Sequence, residues 1–268
     1  MIHTQPDASR PWTAGLVPAT RAALAGLPLE VAPRLLGGVL EVTVLEATAS
    51  GATVLEATAR GSSRSAPEEA GETVAVRITE VEAYHGAGTG PVPDPGSHAR
   101  MGPTMRNATM WGEPGHLYVY LSHGIHSCVN VVCGPAGTAG GVLLRAGEVI
   151  AGSSAAAARR PAARTERDLA RGPGRLGDAL GLRHPIHDGI DAVTGSPQAG
   201  ATARLWLPSA PPETATISSG PRVGVAGVAG TDAFPWRFWI AGDPTVSPFR
   251  WGRGAQDADA STRSPVLD

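Results

Sequence analysis

"VAVRITEVEAYHG", residues 74–86, alternates at a period of two. One face runs Val74, Val76, Ile78, Glu80, Glu82 and Tyr84, and the other carries Ala75, Arg77, Thr79, Val81 and Ala83. Alternation over this length predicts a half-buried strand. Its apolar stripe, however, ends in two carboxylates and a phenol. A buried carboxylate is costly unless it is paired or reaches water. Glu82 stands at the strand end beside a loop, where apolar walls meet solvent, a setting that suits a general base. Glu80 lies deeper and calls for a partner such as an arginine. A structural ion-pair cluster accounts for the two carboxylates equally well.

Working outward, "LPLEVAPRLLGGVLEVTVLEA" predicts a short helix with Leu29, Ala32, Leu35 and Leu36 on its apolar side, running into a strand. "VLEATA" occurs at 44–49 and again at 54–59. One short duplication is no solenoid, and residues 47–72 read as an extended connection. Residues 86–107 form a Gly/Pro-rich loop, 115–134 two strands around a turn, and "GGVLLRAGEVI" another strand. The stretch from Gly152 has helical character broken by Pro161 and "GPG". "PRVGVAGVAG" and "PWRFWIAG" read as closing strands. No βαβ rhythm is present, so the expected fold is α+β: one domain over 21–251, a curved, mainly antiparallel sheet with flanking helices. Residues 1–20 are expected as a flexible tail and 252–268 as a disordered one.

With 268 residues there is ample chain for a core, and 35 glycines and 24 prolines imply irregular connections. No run of eighteen apolar residues and no apolar signal core occurs, so a cytoplasmic protein, not secreted and without membrane contact, is expected. Cys128 and Cys133 face opposite sides of a strand, which disfavours a disulfide. The "HGIH" pair, His123 and His126, lacks further ligands at motif spacing, so no metal and no cofactor are expected. Lysine is absent: all 22 basic side chains are arginine. Net charge is −2, yet residues 98–177 hold nine arginines against four acids. Such a basic middle third reads as an anion-binding surface or as a solvated face.

All three tyrosines, Tyr84, Tyr118 and Tyr120, fall between residues 84 and 120, with His85, His98 and His123 close by in sequence. Flat rings beside a carboxylate can form a slot for a planar ligand. They can equally be core residues with tethered hydroxyls.

Taken together, "APRLLGGVL", "ITEVEAYHG", "DPGSHAR", "TMRN", "GHLYVYLSHGIHSCVNVV", "GVLLRAGE", "ARGPGRLGDALGL", "PRVGV" and "PWRFWIAGDPTVS" resemble the alkyladenine (3-methyladenine) DNA glycosylase family. The matches follow the family's order over most of residues 30–247. The resemblance implies an enzyme of base-excision repair that extrudes a damaged purine from duplex DNA and hydrolyses its bond to deoxyribose. Glu82 falls on the family's catalytic glutamate, which deprotonates the attacking water, and Arg145 on the arginine that helps hold that water. Main-chain carbonyls of "RVGV" are implied as further contacts to it. Tyr84, His98 and Tyr120 match the stacking walls of the base pocket. Ala83 and the His98 backbone match contacts to the base edge, and Asn130 the residue that excludes normal guanine. His123 stands at the hairpin tip where the family usually presents an intercalating tyrosine, and His126 replaces a residue that is often aromatic. Arg100, Arg106 and Arg175 are expected on the DNA backbone, with "GPGRL" opening a helix that could hold a phosphate.

Lyase-competent glycosylases form a Schiff base through an amine. With no lysine and Met1 in a loose tail, a monofunctional enzyme is expected. Its partner would be double-stranded DNA with damaged purines (3-methyladenine, 7-methylguanine, then hypoxanthine and ethenoadenine), met by a monomer. Two rivals stand beside it: a sugar hydrolase using Glu80 and Glu82 as an acid–base pair, and a non-catalytic nucleic-acid-binding module.

Overall fold

The computed structural model describes residues 10–45, 71–210, 213 and 216–263. Residues 74–85 fall in strand β3 (Gly71–His85). Around it lie β1 (Leu16–Pro18), β2 (Val39–Leu45), β4 (Leu117–Ser122), β5 (His126–Val132), β6 (Gly140–Ala151), β7 (Ala201–Pro208), β8 (Ile217–Gly220) and β9 (Arg237–Ile240). They make one open sheet in the order β1-β7-β2-β3-β6-β5-β4, with β9 joining β3 to β8, and the pairings are antiparallel. The α+β expectation holds.

Strand β3 departs from simple alternation. Its register with β6 slips at Thr79, where Ile78 pairs with Gly147 and Glu80 with Ala146. It slips back at Arg145, since Val81 pairs with Leu144. A β-bulge re-aims every side chain beyond it. The core stripe therefore passes from Val74, Val76 and Ile78 to Val81 and Ala83, all members of the main apolar cluster. Glu80, Glu82 and Tyr84 fall on the other face. Both faces are covered here, and from Val74 to Ala83 only Arg77 is partly exposed.

Helices α2 (Pro28–Leu35) and α4 (Pro173–Leu180) cover the core face. Helix α2 opens with Pro28 at its first position, and Glu30 accepts a hydrogen bond from the Leu27 N–H (3.1 Å). It buries Pro28, Val31, Ala32 and Leu35, an i, i+3, i+4, i+7 stripe, while Leu29 is only partly covered. Helix α4 meets β5 backbone to backbone, for a Cβ at Gly177 would strike the Ser127 carbonyl. Helix α3 (Ser153–Arg159) ends just before Pro161. A four-residue helix α1 (Arg21–Leu24) precedes α2. No helix among the described residues is long and apolar enough to cross a membrane.

Three expectations are corrected. Residues 10–20 are not a flexible tail: β1 pairs with β7, Arg10 binds Glu41 through two hydrogen bonds (2.8 and 3.0 Å), and Trp12 packs edge-on to Trp206. "PRVGVAGVAG" is a loop and a short 3-10 turn, because Gly224 and Gly227 adopt positive φ (72° and 60°). Residues 255–263, expected in the disordered tail, form α5 (Ala255–Arg263), anchored by buried Ala255 and by Asp259, which accepts from the Asp232 N–H (3.0 Å). Residues 1–9, 264–268 and 46–70, which hold nearly all of the proposed connection, lie outside the described residues.

His85 closes β3 fully buried, edge-on to Trp236, and neither ring nitrogen has a hydrogen-bond partner. Burial lowers its pKa, partly countered by Asp94, so the native ring resists protonation. As pH falls through about 6.5 the unfolded chain takes up a proton that the native state does not, and stability falls. Urea midpoints at pH 7.5 and 5.5 test this: the acid-side loss is expected to be smaller in His85→Leu than in the parent.

Candidate active site

Alternation in four adjacent strands, set by the bulges, brings distant residues into one row. Tyr118 of β4 pairs with Asn130 of β5, Asn130 with Leu143 of β6, and Leu143 with Glu82 of β3. Odd-numbered neighbours on β4 and β5 (Leu117, Val119, Val129, Val131) enter the core, so the even ones face the opposite side. That side holds a cavity of about 890 Å³, within the range of small-molecule sites. Glu82, Tyr84, His98, Tyr120, Asn130 and Arg145 all line it.

Glu82 is fully buried from the bulk yet on the cavity wall. Its Oε1 accepts the Val223 N–H (2.6 Å) and lies 3.3 Å from Arg145 Nη1, while Oε2 accepts the Tyr84 hydroxyl (2.8 Å). Three fixed donors orient the carboxylate. Arg145 is 6% exposed and also reaches Glu80 through Nε (3.1 Å) and the Ser247 hydroxyl through Nη2 (3.3 Å). Burial works against its charge, but Glu82 and Glu80 outweigh it and raise its pKa.

Glu80 has the partners its depth demands. Arg145 and Arg237 both donate to Oε1 (3.1 and 2.6 Å), joined by the Ser247 hydroxyl (3.0 Å), and the Ser247 N–H donates to Oε2 (2.7 Å). With every donor in place, this carboxylate serves as the anchor for Arg145.

Tyr84 lies between Glu82 and a guanidinium. Arg222 is 0% exposed and sits 4.5 Å from the Tyr84 ring centroid. Asp94 accepts from both its terminal nitrogens (2.9 and 2.7 Å), and the Ala83 and Ala229 carbonyls take further bonds (3.0 and 3.1 Å). Burial, then the Glu82 charge, raise the Tyr84 pKa, so its hydroxyl remains a donor.

The facing wall is aromatic. Tyr118 and Tyr120 stack (5.5 Å, 22°), and His98 stands edge-on to Tyr120 (4.7 Å, 89°) with Nδ1 3.3 Å from the Tyr118 hydroxyl. Burial pushes the Tyr118 phenol up to about 12 and the neighbouring Cys128 thiol up to about 11, so both are neutral. Desolvation, then the charges of Arg106 and Arg100, lower the His98 pKa. Asn130 is 4% exposed and donates its amide to the Tyr118 carbonyl (3.2 Å).

Some expected residues lie elsewhere. Ala83 does not line the cavity: beyond the bulge its methyl enters the core, and its N–H and carbonyl bond Trp236 and Arg222. The His98 carbonyl is taken by Asn107 (3.0 Å). Of "RVGV", the Val223 N–H holds the carboxylate. Exposed Arg100, His123 and Arg175 line the mouth, whereas Arg106 sits outside in the 3-10 helix Met105–Trp111. His123 adopts φ 50° in the turn before β5, beside Gly124 at 71°. Asp94, Arg222, Arg237 and Ser247 were not anticipated. Only the unmet need of Glu80 signalled any of them. Among the described residues no group of three His, Cys, Asp or Glu side chains could hold a metal.

A family model described as "Methylpurine-DNA glycosylase (MPG)" matches residues 62–244. The chain belongs to the methylpurine-DNA glycosylase family. A protein of Leifsonia xyli is 47% identical over 86% of this chain and 92% of its own length. One of Nocardia farcinica is 52% identical over 72% and 86%, and one of Streptomyces avermitilis 43% identical over 87% and 92%. Each bears the name "Putative 3-methyladenine DNA glycosylase". As a methylpurine-DNA glycosylase, the chain is a DNA-repair hydrolase of N-glycosyl bonds, and its substrate is DNA.

The Arg222–Asp94 pair carries Tyr84, and removing one member of a buried pair strands the other. Asp94→Asn is expected to cost about 3–5 kcal/mol in urea unfolding. An unchanged midpoint would mean that the Arg222 charge is balanced without Asp94.

Proposed function

We infer that the enzyme is a monofunctional glycosylase that everts alkylated purines, 3-methyladenine and 7-methylguanine first, into the aromatic cavity and hydrolyses the N-glycosidic bond with a water activated by Glu82. The observation that carries this reading is the Glu82 carboxylate, fixed by Arg145, Val223 and Tyr84 on the wall of a cavity faced by Tyr120 and His98. A methylated purine carries positive charge, and faces of electron-rich rings attract it. The lowered pKa of His98 keeps that wall uncharged, which avoids repelling a cationic base.

In the reaction the water oxygen forms the bond to C1′ and its proton passes to Glu82. The N-glycosidic bond breaks, and its electron pair leaves with the base, neutralising the methylated purine. The carboxylate also stabilises positive charge developing on the sugar. Arg145, tied to Glu80, keeps the carboxylate and the water in register. Asn130, at the cavity wall, would crowd the exocyclic amine of normal guanine. Hypoxanthine and ethenoadenine are neutral while bound to the sugar, so the same electron pair would make them leave as anions unless a proton is supplied, and they need more help from the enzyme. His123 at the mouth would fill the gap left by the everted nucleotide, and Arg100, Arg106 and Arg175 would meet phosphates. Without lysine the chain has no side-chain amine for a Schiff base, which favours hydrolysis to an abasic site over strand cleavage.

The two-carboxylate sugar hydrolase is disfavoured, because Glu80 is engaged by two arginines and Ser247. Against a pure binding module, Glu82→Gln is the test. Single-turnover release of 7-methylguanine and 3-methyladenine from alkylated duplex is expected to fall at least about 100-fold, with lesion binding kept within a few-fold. Release at the parent rate would sink the role of Glu82, and borohydride treatment is expected to trap no protein–DNA adduct.

A further inference from the structure

"TVSPFRWGRG", residues 245–254, follows the stretch matched by the family model, which ends at residue 244. The segment ties two walls of the cavity together. Near its start the Val246 carbonyl accepts from Arg171 Nε (2.9 Å), one residue before cavity-lining Gly172. Farther on, Gly224 donates to the Arg250 carbonyl (2.9 Å) and Gly227 to that of Arg253 (3.0 Å). Gly224 and Val225 also line the cavity, and a Cβ at Gly252 would strike the Val225 carbonyl. Held at both ends, the chain between them packs on the Gly224–Val225 wall of the cavity.

What it presents there is aromatic and cationic in alternation. Phe249 and Trp251 are 37% and 36% exposed, with their rings edge to face (4.9 Å, 81°). Behind Phe249 lies the Arg237 guanidinium (5.8 Å) that anchors Glu80. Arg250 and Arg253 are exposed, and neither has an ion-pair partner among the described residues. Exposed rings that stay in water forgo the gain of burial. Two unpaired guanidinium groups interleaved with them fit a polyanion with apolar sugar faces between its charges. Arg100 and Arg175 line the cavity whose wall this strip backs, so a polyanion reaching over both would meet positive charge from the strip and from those residues.

We propose that Phe249–Arg253 is a second contact surface for duplex DNA, in which Arg250 and Arg253 hold phosphates flanking the everted nucleotide and Phe249 and Trp251 pack on the neighbouring sugars. The proposal rests on the cavity being the site of base excision, and it extends the DNA-facing surface beyond the family-matched region.

The test is equilibrium binding of the full chain to an undamaged duplex of about 25 base pairs over a salt series. Each phosphate contact adds about 0.9 to the slope of log affinity against log salt. The double variant Arg250→Ala/Arg253→Ala is expected to lower the slope by about 1.8 and to weaken binding about 5- to 30-fold at physiological salt. Trp251→Ala is expected to weaken binding several-fold at unchanged slope. If the alanine pair misfolds by its urea midpoint, Arg250→Gln/Arg253→Gln carries the same expectation. A double variant that matches the parent in slope and affinity overturns the proposal and leaves the strip for a protein partner. A parent that releases no methylpurine, while the variant still loses slope, would refute the excision reading and leave this contact standing.

Discussion

One added residue in β3 at Thr79, answered by one in β6 at Arg145, decides what faces what. With unbroken alternation, Glu80, Glu82 and Tyr84 would continue the stripe of Val74 and Ile78 into the apolar core. There two carboxylates would each lose hydration with nothing to replace it. The slip sends Val81 and Ala83 into the core instead and turns the acids to the opposite face. Because Tyr118, Asn130, Leu143 and Glu82 are register partners, the cavity floor is a row cut across four strands. Its spacing comes from main-chain hydrogen bonds, which makes it rigid.

Turning the acids away from the core still leaves them buried, and arginine answers that need. Glu80 and Glu82 meet Arg145 and Arg237 in one ion-pair network, and the Arg222–Asp94 pair joins it through Tyr84, whose hydroxyl donates to Glu82 and whose ring lies against Arg222. A guanidinium can divide its donors among several acceptors in fixed directions, as an ammonium cannot. Arg145 uses this to span Glu80, Glu82 and Ser247, and Arg222 to join Asp94 to two carbonyls under the Tyr84 ring. Such a network costs desolvation energy. In return it holds the charges at fixed distances and directions beside the cavity.

Much of this was legible in the sequence, with sharp exceptions. Period-two patterns located β3 to β6, and the carboxylates at the end of an apolar stripe pointed to Glu82, which lines the cavity. The demand of Glu80 for an arginine was readable too, although not that it would take two. The bulge was not: an alternation template has no position for an extra residue, so Glu80, Glu82 and Tyr84 read as continuing the stripe of Val74, Val76 and Ile78. Ala83 was placed at the base edge by the family resemblance alone, and its methyl lies in the core. Asp94 and Arg222 are 128 residues apart, and no local pattern links them. Helix α5 escaped notice because its sequence is polar and its anchors, Ala255 and Asp259, act through distant contacts.

Strands β2 and β3 separate at the pair Leu45 and Gly71, at the opposite end of β3 from Glu82. Eleven residues of extended chain place that departure point roughly 35 Å from the carboxylate. Between that point and Glu82, β3 is held by β2 over Gly71–Arg77 and by β6 from Ala75 onward. A graft made where the strands part would therefore begin far along β3 from the slips at Thr79 and Arg145 that set the cavity's register.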